Sequence, residues 1–238
     1  MVWVMKWLVS ITADAGDLDE LSALPPNSLF AIRREGAEFV LESSLFENVS
    51  TAEEVKARAH LLVELMSGAS SLAYDARRPF SVGSVIGIDD DGNRHIFVSC
   101  TINVSTRLTA HATITHADGS TEEILPAQPV PGWVDRAQAD ATAQEILRVW
   151  GTQPKDWVNL YNLLERVEHA VGGERGIVER GWASRKALDK FRRTACSPDV
   201  LGPQARHGVQ KFEPPRKPMS LPEARALIRS VVVSWLTE

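Results

Sequence analysis

Cysteine is almost absent from this chain of 238 residues, which contains only Cys100 and Cys196. The two lie far apart in the sequence, and neither belongs to a Cys-x-x-Cys pair. A disulfide framework and a zinc knuckle are both unsupported, because each needs several cysteines at short spacings. Two buried thiols in a reducing compartment are the simpler interpretation, so we expect a cytoplasmic protein.

Long apolar runs are also missing. No stretch approaches the roughly 20 residues that a helix needs to cross a bilayer. The apolar opening MVWVMKWLV is followed by Asp14, Asp17 and Asp19, where a signal peptide would carry small residues. We therefore interpret the opening as a first β-strand and expect no membrane partner.

The short motifs of the large cofactor and hydrolase classes do not occur. The sequence has no GxxxxGK[ST], no GxGxxG after a strand, no HExxH and no GxSxG. The string DDDGN at 89–93 lacks the spacing and the closing Glu of a calcium loop, which favours a hairpin turn. His95, His111 and His116 lie on predicted strands, and the last two point to opposite faces because they are five residues apart. We therefore expect neither a metal nor another cofactor.

The first 124 residues have mainly the pattern of β-strands. VWVMKWLVSI is one such run, and SLFAIRREGAEFVLES contains two strands joined by a turn at Gly36. A helix follows, with Ser50 as N-cap, Glu53 completing a capping box and Gly68 as a stop signal. Further strands follow the helix. We predict an acidic α+β domain over residues 1–124, in which one helix packs across an antiparallel sheet.

Three prolines and a glycine in LPAQPVPG mark a linker at 125–132, where the pattern becomes helical. Helical patterns cover DRAQADATAQEILRVWG, TQPKDWVNLYNLLERVEHAVGG, SRKALDKFRRTA and the C-terminal stretch. Thr152 and Ser220 are predicted N-caps, the latter within a second capping box. We predict an all-α helical bundle over 133–238, with a basic loop at 196–219 between its last two helices. The prolines stiffen this loop, and long loops in compact domains are often functional.

Charge is unevenly distributed along the chain. Residues 1–130 carry 9 Lys+Arg against 18 Asp+Glu, a balance of −9, and residues 131–238 carry 17 against 13, a balance of +4. Between Arg185 and Arg229 the counts are 11 and 4, a balance of +7. A concentrated positive field favours phosphate-rich or acidic partners. Solvated helix faces, or neutralisation by the acidic domain, explain the same charges.

The basic side chains in and beside the loop at 196–219 are the candidate site. They are Arg192, Arg193, Arg206, His207, Lys211, Arg216 and Lys217. This set suits phosphate binding, or RNA cleavage in which His207 takes the 2′-hydroxyl proton while Arg206 or Arg193 holds the phosphate. A loop whose Arg206 and His207 pair with helix carbonyls or carboxylates is the structural alternative. Glu165 and His169, one helical turn apart, form either an acid–base pair or a solvated face.

Three segments of the second half carry a resemblance. DWVNLYNLLERVEHAVGG, GIVERGWASRKALDKFRRTACSPDVLGPQARHG and PPRKPMSLPEARALIRSVVVSWL resemble, over about 85 residues, the C-terminal half of an uncharacterised bacterial family of two-domain proteins. More distantly, a small helical bundle bearing Arg and His resembles the HEPN superfamily, which includes metal-independent ribonucleases of toxin and antiviral defence systems. The active site of that superfamily has Arg, four to six residues, then His. No histidine of this sequence follows an arginine at that spacing, so no catalytic residue is carried over.

Together these features predict a cytoplasmic binding or accessory protein whose basic helical domain contacts RNA, a nucleotide or an acidic protein. One alternative is a HEPN-like metal-independent endoribonuclease with His207, Arg206 and Arg193 as its catalytic residues. The other is a non-catalytic adaptor or structural subunit, for which a homo-oligomer is also compatible. Whether the protein is an enzyme stays open at this point.

Overall fold

The structure is a computed structural model that describes residues 5–75, 78–97, 112–115, 121–210 and 213–238, with the backbone alone at 112–115 and 121–124. The chain divides into two compact units, Met1–Ala139 and Asp140–Glu238. The first contains an antiparallel sheet with helices and the second is helical, so the predicted α+β class is confirmed. No helix within the described ranges combines the length and the apolar composition needed to cross a membrane.

The first unit is built on a five-stranded sheet. The strands described in this unit, of which the first five form the sheet, are β1 Lys6–Thr12, β2 Phe30–Glu35, β3 Glu38–Ser43, β4 Ser81–Ile88, β5 Arg94–Phe97, β6 Ala112–Thr115 and β7 Thr121–Ile124. Its helices are α1 Ala15–Ala23, α2 Ala52–Tyr74 and α3 Val130–Ala139. The sheet has the order β2-β3-β1-β4-β5, with antiparallel pairing throughout, and β6 pairs with β7 in a separate hairpin.

Both faces at the centre of the sheet are covered. Neighbouring residues of a strand point to opposite faces, yet Leu8 is only 2% exposed and Val9 is fully buried. Leu8 belongs to a buried cluster with Val40 and Ile86. Helix α2 packs against β4 and β1. The single helix predicted to cross the sheet is therefore present, and the second face is closed as well.

Helix α2 begins and ends later than the sequence predicts. Its N-cap is Thr51 rather than Ser50, because the Thr51 hydroxyl accepts the Glu54 N–H at 3.3 Å. The helix also passes through Gly68 and ends only before Asp75, which adopts a left-handed φ of 59°. Gly68 is buried in the packed helix. Burial of that helix outweighs the intrinsic cost of one glycine, about 1 kcal/mol.

Two further features of the first unit are absent from the sequence prediction. Helix α1 was not predicted, because buried Asp17 and Glu20 interrupt its apolar stripe. The segment 125–132, predicted as a linker, contains buried Ala127 and Val130, and α3 begins within it.

Every regular element described in the second unit is a helix. The unit comprises α4 Ala141–Thr152, α5 Trp157–Val171, α6 Glu174–Glu179, α7 Arg185–Ala195, α8 Pro198–Leu201 and α9 Leu221–Thr237. The capping box at Ser220 is confirmed. The segment 135–151 is helical as predicted but divided between two helices, because Asp140 separates α3 from α4 and accepts hydrogen bonds from the first N–H groups of α4. The cap predicted at Thr152 is wrong, since Asp156 caps α5.

Helix α5 is the central element of the second unit and packs against α4, α7 and α9. Its apolar side chains Trp157, Leu160, Leu164 and Val167 are buried. Phe191 of α7 is fully buried and stacks on the Trp157 ring at 6.0 Å between centroids. This aromatic contact places the last turns of α7 beside α5.

The cap of α2 provides a direct test of the fold. Thr51→Ala should lower the free energy of unfolding by about 1 kcal/mol, because a backbone N–H of the first turn loses its acceptor. Ser50→Ala is the matched control and should change that free energy by less than about 0.5 kcal/mol. Urea unfolding followed by circular dichroism measures both. If Ser50→Ala lowers the free energy of unfolding more than Thr51→Ala does, the capping box predicted at Ser50 is correct and the cap at Thr51 is not.

Candidate functional site

Charged side chains of α5, α6 and α7 meet at Arg192. This arginine forms ion pairs with Glu168 of α5 and with Glu174 of α6. The Arg192 and Glu168 side chains are 24% and 16% exposed, so the group is largely withdrawn from water. Arg192 was a predicted phosphate contact, but two carboxylates of the same unit already neutralise it.

Burial and charge act against each other in this group. Burial raises the pKa of Glu168 above its ordinary value, and the attraction of Arg192 offsets that rise only in part. Burial alone would lower the pKa of Arg192, but the bonds to Glu174 and Glu168 outweigh it and raise that pKa. Burial is thus the main cause for Glu168, and pairing with the two carboxylates is the main cause for the raised pKa of Arg192. Arg192 therefore stays charged and holds three helices together.

Arg206 is likewise paired with a glutamate of α5. Its guanidinium donates to both carboxylate oxygens of Glu165, at 2.9 and 3.1 Å. It also lies 4.0 Å from the centroid of the Tyr161 ring, within the range of a cation–π contact. Burial raises the pKa of Tyr161, so the phenol stays neutral near pH 7. The predicted phosphate contact at Arg206 is thus occupied by α5.

The structure does not gather the predicted catalytic residues into one cleft. A cleft of about 450 Å³ in the second unit is lined by Thr142, Asn162, Glu165, Arg166 and His169. Neither His207 nor Arg193 is among these described lining residues. His207 is partly exposed, and no hydrogen bond or ion pair joins it to another residue that the structure describes. Glu165 forms its ion pair with Arg206 rather than with His169.

Arg193 has a different environment at the end of α7. It donates two hydrogen bonds to the backbone carbonyl of Glu213, at 2.6 and 3.2 Å. The next residue, Thr194, accepts the backbone N–H of Met219 at 3.1 Å. Residues 213–219 are therefore attached at both ends to the last turn of α7.

Arg216 and Lys217 lie between these two attachments, and both are exposed. Arg216 is three residues from Glu213 and Lys217 is two from Met219. At about 3.6 Å per residue, their Cα atoms lie within about 11 and 7 Å of an attached residue. The structure thus brings Arg193, Arg216 and Lys217 into one region. Lys211, the remaining predicted contact, lies outside the described residues, as do His111 and His116.

Two lysines of α7 extend this region, and the sequence prediction missed them. Lys186, Lys190 and Arg193 are spaced by four and three residues, which places them on one helix face. The Ser220 N–H lowers the pKa of Glu223, with a smaller contribution from Lys190, so Lys190 lies near the start of α9. The helical spacing was the signal available in the sequence. We call Lys186, Lys190, Arg193, Arg216 and Lys217 the basic surface.

A second cavity, of about 840 Å³, lies in the first unit at one end of the sheet. The Glu42 carboxylate in this cavity forms ion pairs with Lys6 and Arg33, which lie on neighbouring strands of the sheet. The cavity's Ser43 hydroxyl donates to the Leu29 carbonyl at 2.8 Å. Over the described part of the chain, no group of three His, Cys, Asp or Glu is arranged to hold a metal ion.

Loss of the central cation should destabilise the second unit. Arg192→Met leaves the partly buried Glu168 carboxylate without its partner, which should cost about 2 kcal/mol after allowance for solvent exposure. Arg175→Met is the control, because Arg175 is 81% exposed in its pair with Glu179 and should cost less than about 0.5 kcal/mol. Chemical unfolding of the whole chain measures both, and equal costs would contradict the structural role of Arg192.

The raised pKa of Glu168 predicts a pH dependence of stability. The folded protein holds this proton more tightly than the unfolded chain, so the contribution is fully present below the unfolded value near 4.5 and is lost as pH rises through the folded pKa. The stability difference between wild type and Glu168→Gln should therefore decline as pH rises through that window. Carboxyl NMR titration gives the pKa directly, and a value at or below 4.5 would refute the assignment.

The function of this chain must be inferred from its own side chains. Arg192 and Arg206 pair with glutamates on α5 and α6, whereas Arg193 pairs with Asp189 on its own helix at 3.8 Å and keeps a side chain that is 38% exposed. No family model, curated protein or solved structure matches this chain.

Proposed function

We propose that this chain is a cytoplasmic RNA-binding protein that contacts the phosphate backbone through the basic surface. One observation carries the proposal. Arg193 and Thr194 hold residues 213–219 against α7, so the exposed Arg216 and Lys217 are presented on an attached segment beside the α7 lysines. Cations held in place lose less conformational freedom on binding than cations on a mobile loop.

The extent of the basic surface favours a chain of phosphates over a single nucleotide. Lys186 and Arg193 are seven residues apart on α7, which corresponds to about 10 Å at 1.5 Å per residue. Arg216 and Lys217 add charge beyond the end of that row. Lysine and arginine contacts of this kind read the backbone without reading the base sequence. We therefore expect binding with little sequence preference.

The composition of the surface favours RNA over an acidic protein. Stable protein interfaces usually have an apolar or aromatic centre surrounded by polar groups. The large exposed apolar side chains described in the second unit are Val158, Val200 and Val209. None of them lies on α7 or in 213–219, so the cations there surround no apolar centre.

The occupied arginines favour binding over cleavage. Metal-free RNA cleavage needs a base at the 2′-hydroxyl and cations aimed at the phosphate. Arg206 and Arg192 are directed at glutamates, and His207 does not line the described cleft. The endoribonuclease alternative draws no support from this geometry, and binding is the function we advance.

The proposal predicts binding that depends strongly on salt. The wild-type chain should retain a 20-nucleotide single-stranded RNA at about 50 mM salt, with affinity falling linearly on a log–log plot. Arg216→Ala with Lys217→Ala should weaken binding by on the order of tenfold and reduce the slope by about 1.4, at about 0.7 per lost contact. Filter binding across a salt series measures both quantities.

The control removes the same charge elsewhere in the second unit. Arg175→Gln with Arg185→Gln replaces two arginines that are 81% and 76% exposed and that pair with Glu179 and Glu174. This variant should keep the wild-type slope within about 0.5. If both double variants behave alike, net charge rather than the basic surface is responsible. If RNA is not retained while an acidic polypeptide such as poly-glutamate is, the partner is an acidic protein and the RNA proposal is wrong.

A further inference from the structure

We infer that Arg206 is a positioning residue: its contacts with Glu165 and Tyr161 hold the connector, by which we mean residues 196–210 and 213–219, in the shape that presents Arg216 and Lys217 to RNA. We call Arg206, Glu165 and Tyr161 the Arg206 clamp. The inference rests on the proposed function and adds to it a residue that acts without touching RNA.

Arg206 joins the connector to two helices at once. Its backbone N–H donates to the Ala195 carbonyl at the end of α7, at 2.8 Å. Its side chain reaches α5, where it bonds both oxygens of Glu165 and covers the Tyr161 ring. Both bonds come from the Nη2 nitrogen and fix that end of the guanidinium at the carboxylate, and the ring restricts the guanidinium along its normal. The side chain is only 26% exposed, so water competes for it less than at an open surface pair.

The connector is attached again at each step after the clamp. The Gln210 side-chain oxygen accepts from the Ser197 hydroxyl at 3.0 Å and from the Asp199 N–H at 3.3 Å. Arg193 then holds the Glu213 carbonyl, and Thr194 holds Met219. Arg206 is the first of these attachments and the one that reaches α5. Loss of its side-chain contacts would leave Arg206 bonded to α7 through its backbone N–H and no longer attached to α5.

The clamp also explains why a carboxylate lies in a unit that we propose binds phosphate. Glu165 carries a negative charge. If long-range electrostatics acted alone, this charge would repel RNA. A carboxylate that orders the connector has the opposite effect on binding, because it lowers the entropy lost when Arg216 and Lys217 are immobilised. Charge and positioning therefore predict opposite signs for removal of Glu165.

The experiment compares Glu165→Gln with Glu145→Gln in the full chain. Both changes remove one negative charge and replace it with an amide of similar shape. Glu145 pairs with Arg166 across α4 and α5, at 2.6 Å, and no hydrogen bond or ion pair joins it to the described residues of the connector. The two readouts are amide hydrogen exchange of residues 202–210 and 213–219, and affinity for the 20-nucleotide RNA. A cooperative thermal transition establishes that each variant is folded.

We expect Glu165→Gln to speed exchange in the connector by about tenfold, which corresponds to about 1.4 kcal/mol. It should weaken RNA binding by about threefold despite the removal of a negative charge. Glu145→Gln should leave connector exchange unchanged and bind RNA at least as tightly as the wild type.

The possible failures are distinct. Unchanged connector exchange in Glu165→Gln shows that the clamp does not order the segment and overturns the inference. Faster exchange with RNA affinity equal to or above the wild type shows that ordering is irrelevant to binding, and also overturns it. Failure of the wild type itself to bind RNA overturns the proposed function, and the positioning role falls with it.

Discussion

The arrangement of charge in the second unit depends on the packing of Phe191. This fully buried ring of α7 stacks on Trp157 and on Tyr161, two residues one turn apart on α5. Packing of large aromatic side chains defines the relative position of two helices more firmly than exposed ion pairs do. Because Phe191 is followed by Arg192 and Arg193, the same contact brings one arginine to the glutamates and leaves the other at the connector. The positions of Arg192 and Arg193 are therefore determined by the packing of the core.

The two adjacent arginines have different fates for a geometric reason. Consecutive helical residues are about 100° apart around the axis, so Arg192 and Arg193 face different surroundings. Arg192 is enclosed by Glu168 and Glu174, where it is a structural cation. Arg193 supports the backbone of Glu213 and stays partly exposed. A count of basic residues along the sequence treats these side chains as equal, although Arg192 is enclosed by two carboxylates and Arg193, paired with Asp189 at 3.8 Å, is 38% exposed.

Local signals in the sequence were reliable where the hydrogen-bond partner lies a few residues away in the same helix. The cap at Ser220 needs only a hydroxyl and an N–H three residues away, and it was predicted correctly. The errors occurred where a competing cap or a buried face decided the boundary. Asp140 and Asp156 each offered a carboxylate that caps a helix at a position other than the predicted one. Helix α2 continued through Gly68 because tertiary packing favoured it.

The sequence by itself determined the α+β class, the order of most elements and the excess of positive charge between Arg185 and Arg229. These features depend on periodicity, turn residues and composition, which are local properties. Only the tertiary structure decided which cations are neutralised, because Glu165 lies 41 residues from Arg206 and Glu168 lies 24 from Arg192. Their proximity arises from the folding of α5 against α7 and the connector. Coulomb interactions depend on distance in space and on exposure to water, and neither quantity can be read from the linear order of residues.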